Sequence, residues 1–109
     1  MIDPKKHGRF EEIIRDLAAR FILMESAGTG LVTVTKIEAA GKGDTAKIFV
    51  TVFPESSEEK AFAFLKRRRS DFREFVSANS KLFRIPFFDF EIDKGEKNRQ
   101  RVEEASKNN

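Results

Sequence analysis

Cysteine is absent from all 109 residues, which excludes disulfides, thiolate catalysis and cysteine-ligated zinc together. His7 is the single histidine. Alone it cannot build a multi-histidine metal site, and beside the N-terminus, with no evident partner, it reads as plain surface rather than a catalytic base. Tryptophan and tyrosine are missing too, so twelve phenylalanines make up the whole aromatic set. No apolar run approaches the ~20 residues that a bilayer span needs, and Met-Ile-Asp-Pro-Lys-Lys lacks the apolar stretch of a secretory signal. The expectation is a soluble, cytoplasmic protein with no membrane contact, no cofactor and no metal.

Two glycine motifs fail as phosphate cradles. Gly41-Lys42-Gly43-Asp44-Thr45 has no Ser or Thr after its lysine and no following helix, so it reads as a hairpin turn. Gly28-Thr29-Gly30 precedes a strand, the reverse of the strand-to-helix order of a dinucleotide fingerprint. Carboxylate pairs such as Glu58-Glu59 and Glu103-Glu104 are adjacent in sequence and diverge onto solvated helix faces. Catalytic equipment is not visible, and the chain reads as a non-enzyme.

Charge and helix periodicity are what the chain has in abundance. Charged residues make up 36% and hydrophobic ones 39%, with a net charge of +3. This suits one domain with a lean core. Between Lys66 and Arg84 there are seven basic residues (Lys66, Arg67, Arg68, Arg69, Arg73, Lys81, Arg84) against two acids, Asp71 and Glu74. The next segment is acidic, with Asp89, Glu91, Asp93 and Glu96. A chain polarised in this way orients itself on a polyanion.

Phe10, Ile13, Ile14, Leu17, Phe21 and Met24 recur at helical spacing, with Asp3-Pro4 as a start signal, Gly8 allowing a later start, and the 26–30 segment as a stop. Leu31–Glu38 is rich in β-branched residues, and Ala46, Ile48, Val50 and Val52 alternate with more polar neighbours, which predicts an antiparallel hairpin. Pro54 ends the second strand, and Ser56 with Glu59 predicts a capping box for a long helical segment. In that segment Ala61, Phe62, Leu65, Phe72, Phe75 and Val76 keep an apolar stripe, yet arginines stand at 68 and 69, where the stripe wants an apolar residue. Asp71 and Glu74 have the spacing of a weaker second capping box immediately after Ser70, which can itself cap a following helix, so the pattern predicts a break. Ile85–Asp93 reads as a third strand, with Pro86 placing it at a sheet edge or at the very start of pairing. The polar residues after it predict a flexible tail, 94–109, with at most a frayed turn at Arg101–Ala105. Two helical elements then cover one face of a three-stranded sheet.

The basic residues of both helical regions form the candidate RNA-binding face: Lys5, Lys6, Arg9, Lys66, Arg67, Arg68, Arg69, Arg73, Lys81 and Arg84. Such a face neutralises phosphates with little sequence preference and steep salt dependence. On this reading, reversing Arg68 and Arg69 to Glu weakens RNA binding and leaves the fold intact. Most phenylalanines fall on apolar faces, but Phe49, Phe53 and Phe87 are placed for the open sheet face. They define an alternative, a single-strand RNA module that stacks bases on Phe49 and Phe87. A third reading is a protein interaction domain with an incidental basic surface.

Gly30-Leu-Val-Thr-Val-Thr-Lys-Ile-Glu38, Ala46-Lys-Ile-Phe-Val-Thr-Val52, Arg84-Ile-Pro-Phe-Phe-Asp-Phe-Glu-Ile-Asp93 and the weaker Arg101-Val-Glu-Glu104 occur in order and at fitting intervals. Over nearly the whole chain this resembles the ribosome-binding factor A family of bacterial small-subunit assembly factors. The resemblance implies an α+β, type II KH-like fold of order αββααβ, without a GxxG loop, over residues 1–93. It also implies binding to the 30S subunit at 16S ribosomal RNA, near its 5′ end and the decoding region, during late maturation, rRNA processing and cold adaptation. A monomer is expected. Where the family carries an Ala-x-Gly kink, this chain has Arg68-Arg69-Ser70, and the family's Asp-Leu in the hairpin turn is replaced by Lys42-Gly43.

Overall fold

The computed structural model describes residues 4–25, 28 and 30–107, with side chains from residue 9 to residue 105 within those spans. Asp3, the expected cap, and Ser26, Ala27 and Thr29 of the helix stop lie outside the described residues. The first helix, α1, spans Pro4–Glu25 and buries Ile14, Leu17, Ala18, Phe21 and Ile22, one stripe of a 3.6-residue period. Past its end, Gly30 has φ +84, and a Cβ there would sit 2.8 Å from the Phe53 carbonyl oxygen. Only glycine fits, because both the backbone conformation and the space exclude a side chain.

Strand β1, Leu31–Ala40, pairs antiparallel with β2, Thr45–Phe53, through the expected glycine turn. The pairing register shifts between Val34 and Lys36, a bulge that leaves Thr35 unpaired in the ladder. The third strand, β3, covers Phe87–Ile92, shorter than the 85–93 run read from the sequence, and lies parallel to β2 on its other side. Pro86 has no N–H to give, so pairing begins after it.

Two local expectations at the next helices are corrected. Ser56 and Glu59 form no capping box: a 3-10 turn, Glu55–Ser57, precedes α2, Glu58–Arg67, whose N-cap Ser57 makes no side-chain cap bond. The Ser57 N–H donates to the Pro54 carbonyl at 2.9 Å instead. The turn's own backbone bond thus takes over the role of a capping hydroxyl. Similarly, Ser70 does not cap the following helix. The break consists of Arg68 alone (φ −101, ψ 14), and α3 runs Arg69–Asn79. The Arg68 N–H is shared between the Phe64 and Leu65 carbonyls, and its own carbonyl accepts from Phe72. The chain turns with almost no loss of backbone hydrogen bonding.

The joint keeps Leu65 and Phe72 both fully buried on one side of the sheet. Phe72 sits at the centre of an aromatic cluster, 4.8 Å edge-on to Phe88, 5.3 Å from Phe21 and 5.9 Å from Phe90 between centroids. These spacings are favourable for tilted and edge-to-face ring pairs. All three helices α1, α2 and α3 pack against this face, as the apolar stripes require.

The reading of 101–105 as at most one frayed turn is also corrected. Lys94–Lys107 forms a fourth helix, α4. Asp93 caps it, with Oδ1 accepting from the Glu96 N–H at 3.0 Å and the backbone carbonyl accepting from Lys97. Glu96, Arg99 and Glu103 pair at i,i+3 and i,i+4. Lys97 bridges Glu55 and Glu58, and Arg101 pairs with Glu55, which fastens α4 to the start of α2. Capping and ion pairs support a helix whose apolar content is too small to form a stripe.

Candidate nucleic-acid interface

The structure sorts the ten expected RNA-binding cations into three groups. Lys5 and Lys6 lie in the first turns of α1, and their side chains fall outside the described residues. Arg9, Arg67, Lys81 and Arg84 are exposed, and none has a side-chain ion pair or hydrogen bond with a described residue. Lys66, Arg68, Arg69 and Arg73 are engaged inside the protein. The last group contains most of the run that the sequence makes prominent.

Arg68 explains why the apolar stripe tolerates a charge. Its guanidinium lies over the rings of Phe64 and Phe21, 5.7 and 6.0 Å from their centroids, and its side chain is one-third exposed. One terminal nitrogen donates to Glu25 at 2.8 Å, at the end of α1. Nε is buried 3.2 Å from Asp71 Oδ2, without the alignment of a hydrogen bond. The long stem thus covers apolar surface while the head finds carboxylates.

Lys66 and Arg69 converge on one oxygen of Asp89 in β3, at 2.6 and 3.2 Å. Burial pushes the Asp89 carboxyl up. The Lys66 hydrogen bond, the Phe90 N–H and the charges of Lys66 and Arg69 outweigh it and hold the group below the ordinary aspartate range. The joint between α2 and α3 is therefore tied by charge both to α1 and to the sheet edge.

Arg73 anchors the segment 80–86 between α3 and β3. Its Nε donates to the Pro86 carbonyl and its Nη2 to the Ile85 carbonyl, while its guanidinium stacks 4.6 Å from the Phe87 ring centroid. Ser80 donates to the Val76 carbonyl at 2.7 Å. Leu82 and Ile85 pack against the core, so the intervening Phe83 and Arg84 turn outward. Beside them runs an open groove of about 960 Å³, bounded by α3, this segment and the hairpin turn at Gly43-Asp44. Arg69, Arg73 and Arg84 line it, together with Phe83, Phe87, Glu74 and Asp44.

Phe83 is the residue that sequence reasoning missed. It is fully exposed, more so than any other large apolar residue described. Of the three phenylalanines expected on the open face, Phe53 and Phe87 are two-thirds exposed. Phe87 belongs to the groove. Phe49 is half-buried beneath the ammonium of Lys36, 4.5 Å from its centroid. The open face around it carries the ion pairs Lys36–Glu38 and Lys47–Glu91, so its cations are already matched. Among the described residues there is no group of three His, Cys, Asp or Glu that could hold a metal, and no helix is long and apolar enough to cross a membrane.

A three-stranded sheet backed by helices in the order αββααβ, with a one-residue joint between the second and third helices, defines an α+β KH-like protein of the type II order. The chain belongs to the ribosome-binding factor A family, whose model matches residues 6–106. A relative of that name from Brevibacillus brevis is 37% identical over 65 residues, 59% of this chain and 54% of the relative. Another from Tropheryma whipplei strain Twist is 35% identical over 66 residues, 60% of this chain. The matched segments span about half and 33% of these relatives' lengths. The fold matches the crystal structure of ribosome-binding factor A from Thermus thermophilus with a TM-score of 0.69 at 21% identity, covering 78% of this chain and 93% of that one. A Thermotoga maritima protein solved by solution NMR gives a TM-score of 0.66 at 23% identity, covering 87% and 94%.

Proposed function

We propose that this protein is a non-enzymatic assembly factor that binds the 30S ribosomal subunit at 16S ribosomal RNA during late subunit maturation and rRNA processing. The family match over residues 6–106 carries this reading. The exposed cations Arg9, Arg67, Lys81 and Arg84 give it a physical basis, since cations without partners among the described residues are free to displace counterions from phosphates. The protein acts as a monomer in the cytoplasm, near the 5′ end and decoding region of the RNA, and its action matters most in the cold. Lys66, Arg68 and Arg69 contribute by shaping the face, with Arg69 and Arg73 reaching the groove wall.

Sucrose-gradient sedimentation of the tagged protein in a lysate tests the proposal. The expected result is co-migration with free 30S subunits, lost as salt rises. Migration with 70S ribosomes only, or at the top of the gradient at every salt concentration, would overturn it.

A further inference from the structure

Arg84 lines the groove and exposed Lys81 stands two residues before Phe83, but charge alone does not account for Phe83. A phenyl ring standing fully in water is unfavourable unless something covers it. The ring is also not on a loose loop: Leu82 and Ile85 are seated in the core on either side, and Arg73 holds the Ile85 and Pro86 carbonyls. Phe87, two-thirds exposed under the Arg73 guanidinium, extends the aromatic surface along the groove. A fixed ring with the exposed cations Lys81 and Arg84 on either side along the chain matches an unpaired nucleotide, whose base offers a π face and whose backbone offers charge. A paired RNA does not fit this arrangement, because its bases are already stacked within the helix. An apolar peptide would leave Arg84, which has no described partner, unmatched.

We propose that the groove beside α3 binds unpaired RNA, with one base stacked on Phe83 and the flanking phosphates held by Arg84 and Lys81. This rests on the reading that the protein acts on RNA and deepens it by naming the structural state of that RNA. It also moves base stacking away from the open sheet face, where Phe49 is covered by Lys36.

The test uses the full chain, a short fluorescent single-stranded RNA oligomer and a duplex of the same sequence, titrated at several salt concentrations. The wild type is expected to prefer the single strand. Phe83→Ala weakens single-strand binding about tenfold or more and leaves duplex binding and the salt slope nearly unchanged. Phe83→Trp keeps single-strand affinity, and Arg84→Glu weakens both ligands and flattens the salt dependence. Equal single-strand affinity of Phe83→Ala and wild type would overturn the proposal, as would equal losses on both ligands. Absence of salt-sensitive oligomer binding by the wild type would also overturn it and leave the ring to a protein contact. If Phe83→Ala binds the oligomer normally while the wild type migrates with 30S subunits, the groove assignment fails and the assembly-factor reading stands. If the oligomer result holds and co-migration fails, the reverse is true.

Discussion

The cations at the helix joint and those on the segment 80–86 carry the same charge and differ in what surrounds them. Lys66, Arg68 and Arg69 face Asp89, Glu25 and Asp71 within the fold. Lys81 and Arg84 face solvent and have no described partner. Dense charge in sequence here marks a place where elements are joined, while the sparser cations of the outward segment are left exposed to solvent. A carboxylate beside an arginine competes with phosphate, so the partnered group contributes less to counterion release than its number suggests.

The largest expected effect lies beneath the joint. Phe72→Ala removes the ring that links Phe21, Phe88 and Phe90, and a fully buried phenylalanine of this kind costs about 3–5 kcal/mol. Urea denaturation should show the loss as a lower midpoint. A midpoint within error of the wild type would mean that the joint does not depend on this cluster.

Asp89→Ala separates the two roles of the joint. Losing the shared acceptor of Lys66 and Arg69 should lower stability by about 1 kcal/mol, given that the pair is partly solvent-screened. The same change frees two cations, so RNA affinity and its salt slope should rise. An unchanged salt slope in filter binding would show that Lys66 and Arg69 are remote from the RNA.

A smaller contrast compares Arg68→Ala with Arg84→Glu. The first loses the Glu25 pair and its packing on Phe21 and Phe64, for about 1 kcal/mol of stability, with RNA affinity held. The second should stay within about 0.5 kcal/mol of wild-type stability and lose affinity. The opposite pattern, measured by thermal melts and RNA titration, would reverse the assignment of the two groups. Reversing both Arg68 and Arg69 to Glu is no longer a neutral probe, because it places new carboxylates against Glu25, Asp71 and Asp89.

The smallest effect is a pH response. The Thr35 hydroxyl donates to Asp93 at 2.6 Å, and this bond, then the Glu96 N–H, holds the Asp93 carboxyl below its ordinary value. A folded-state pKa below the unfolded one means the contribution is full at neutral pH and is lost as acid titrates the folded group. Helix content followed by circular dichroism should fall below the ordinary aspartate range, near pH ~4 and lower. Asp93→Ala should already have reduced α4 at neutral pH and show a weaker acid transition. An identical transition in that variant would mean that Asp93 does not hold α4.

The hairpin, the edge strand and the position of the break were legible because β-branched alternation, Pro86 and the interruption of the stripe at Arg68 are local patterns. The partners of that arginine were not, since Glu25 lies 43 residues away and no periodicity joins the two. The fourth helix escaped notice for a different reason: Val102 gives it no apolar stripe, and its signal was Asp93 with Glu96 three residues on, a capping pattern. Phe83 stayed hidden because spacing cannot tell whether a ring between Leu82 and Arg84 turns inward or outward.

The parallel pairing of β3 with β2 gives the molecule a direction. Because Phe87 is opposite Thr45 and the Asp93 N–H donates to the Val50 carbonyl, the groove and the glycine turn share one end of the sheet. α4 departs near the other and continues toward Glu55. The eight steps of β2 separate these ends by about 26 Å. A reporter or affinity handle joined beyond α4 is therefore expected to leave from the end away from the groove, so the same fusion can serve the gradient and the titrations without shielding Phe83.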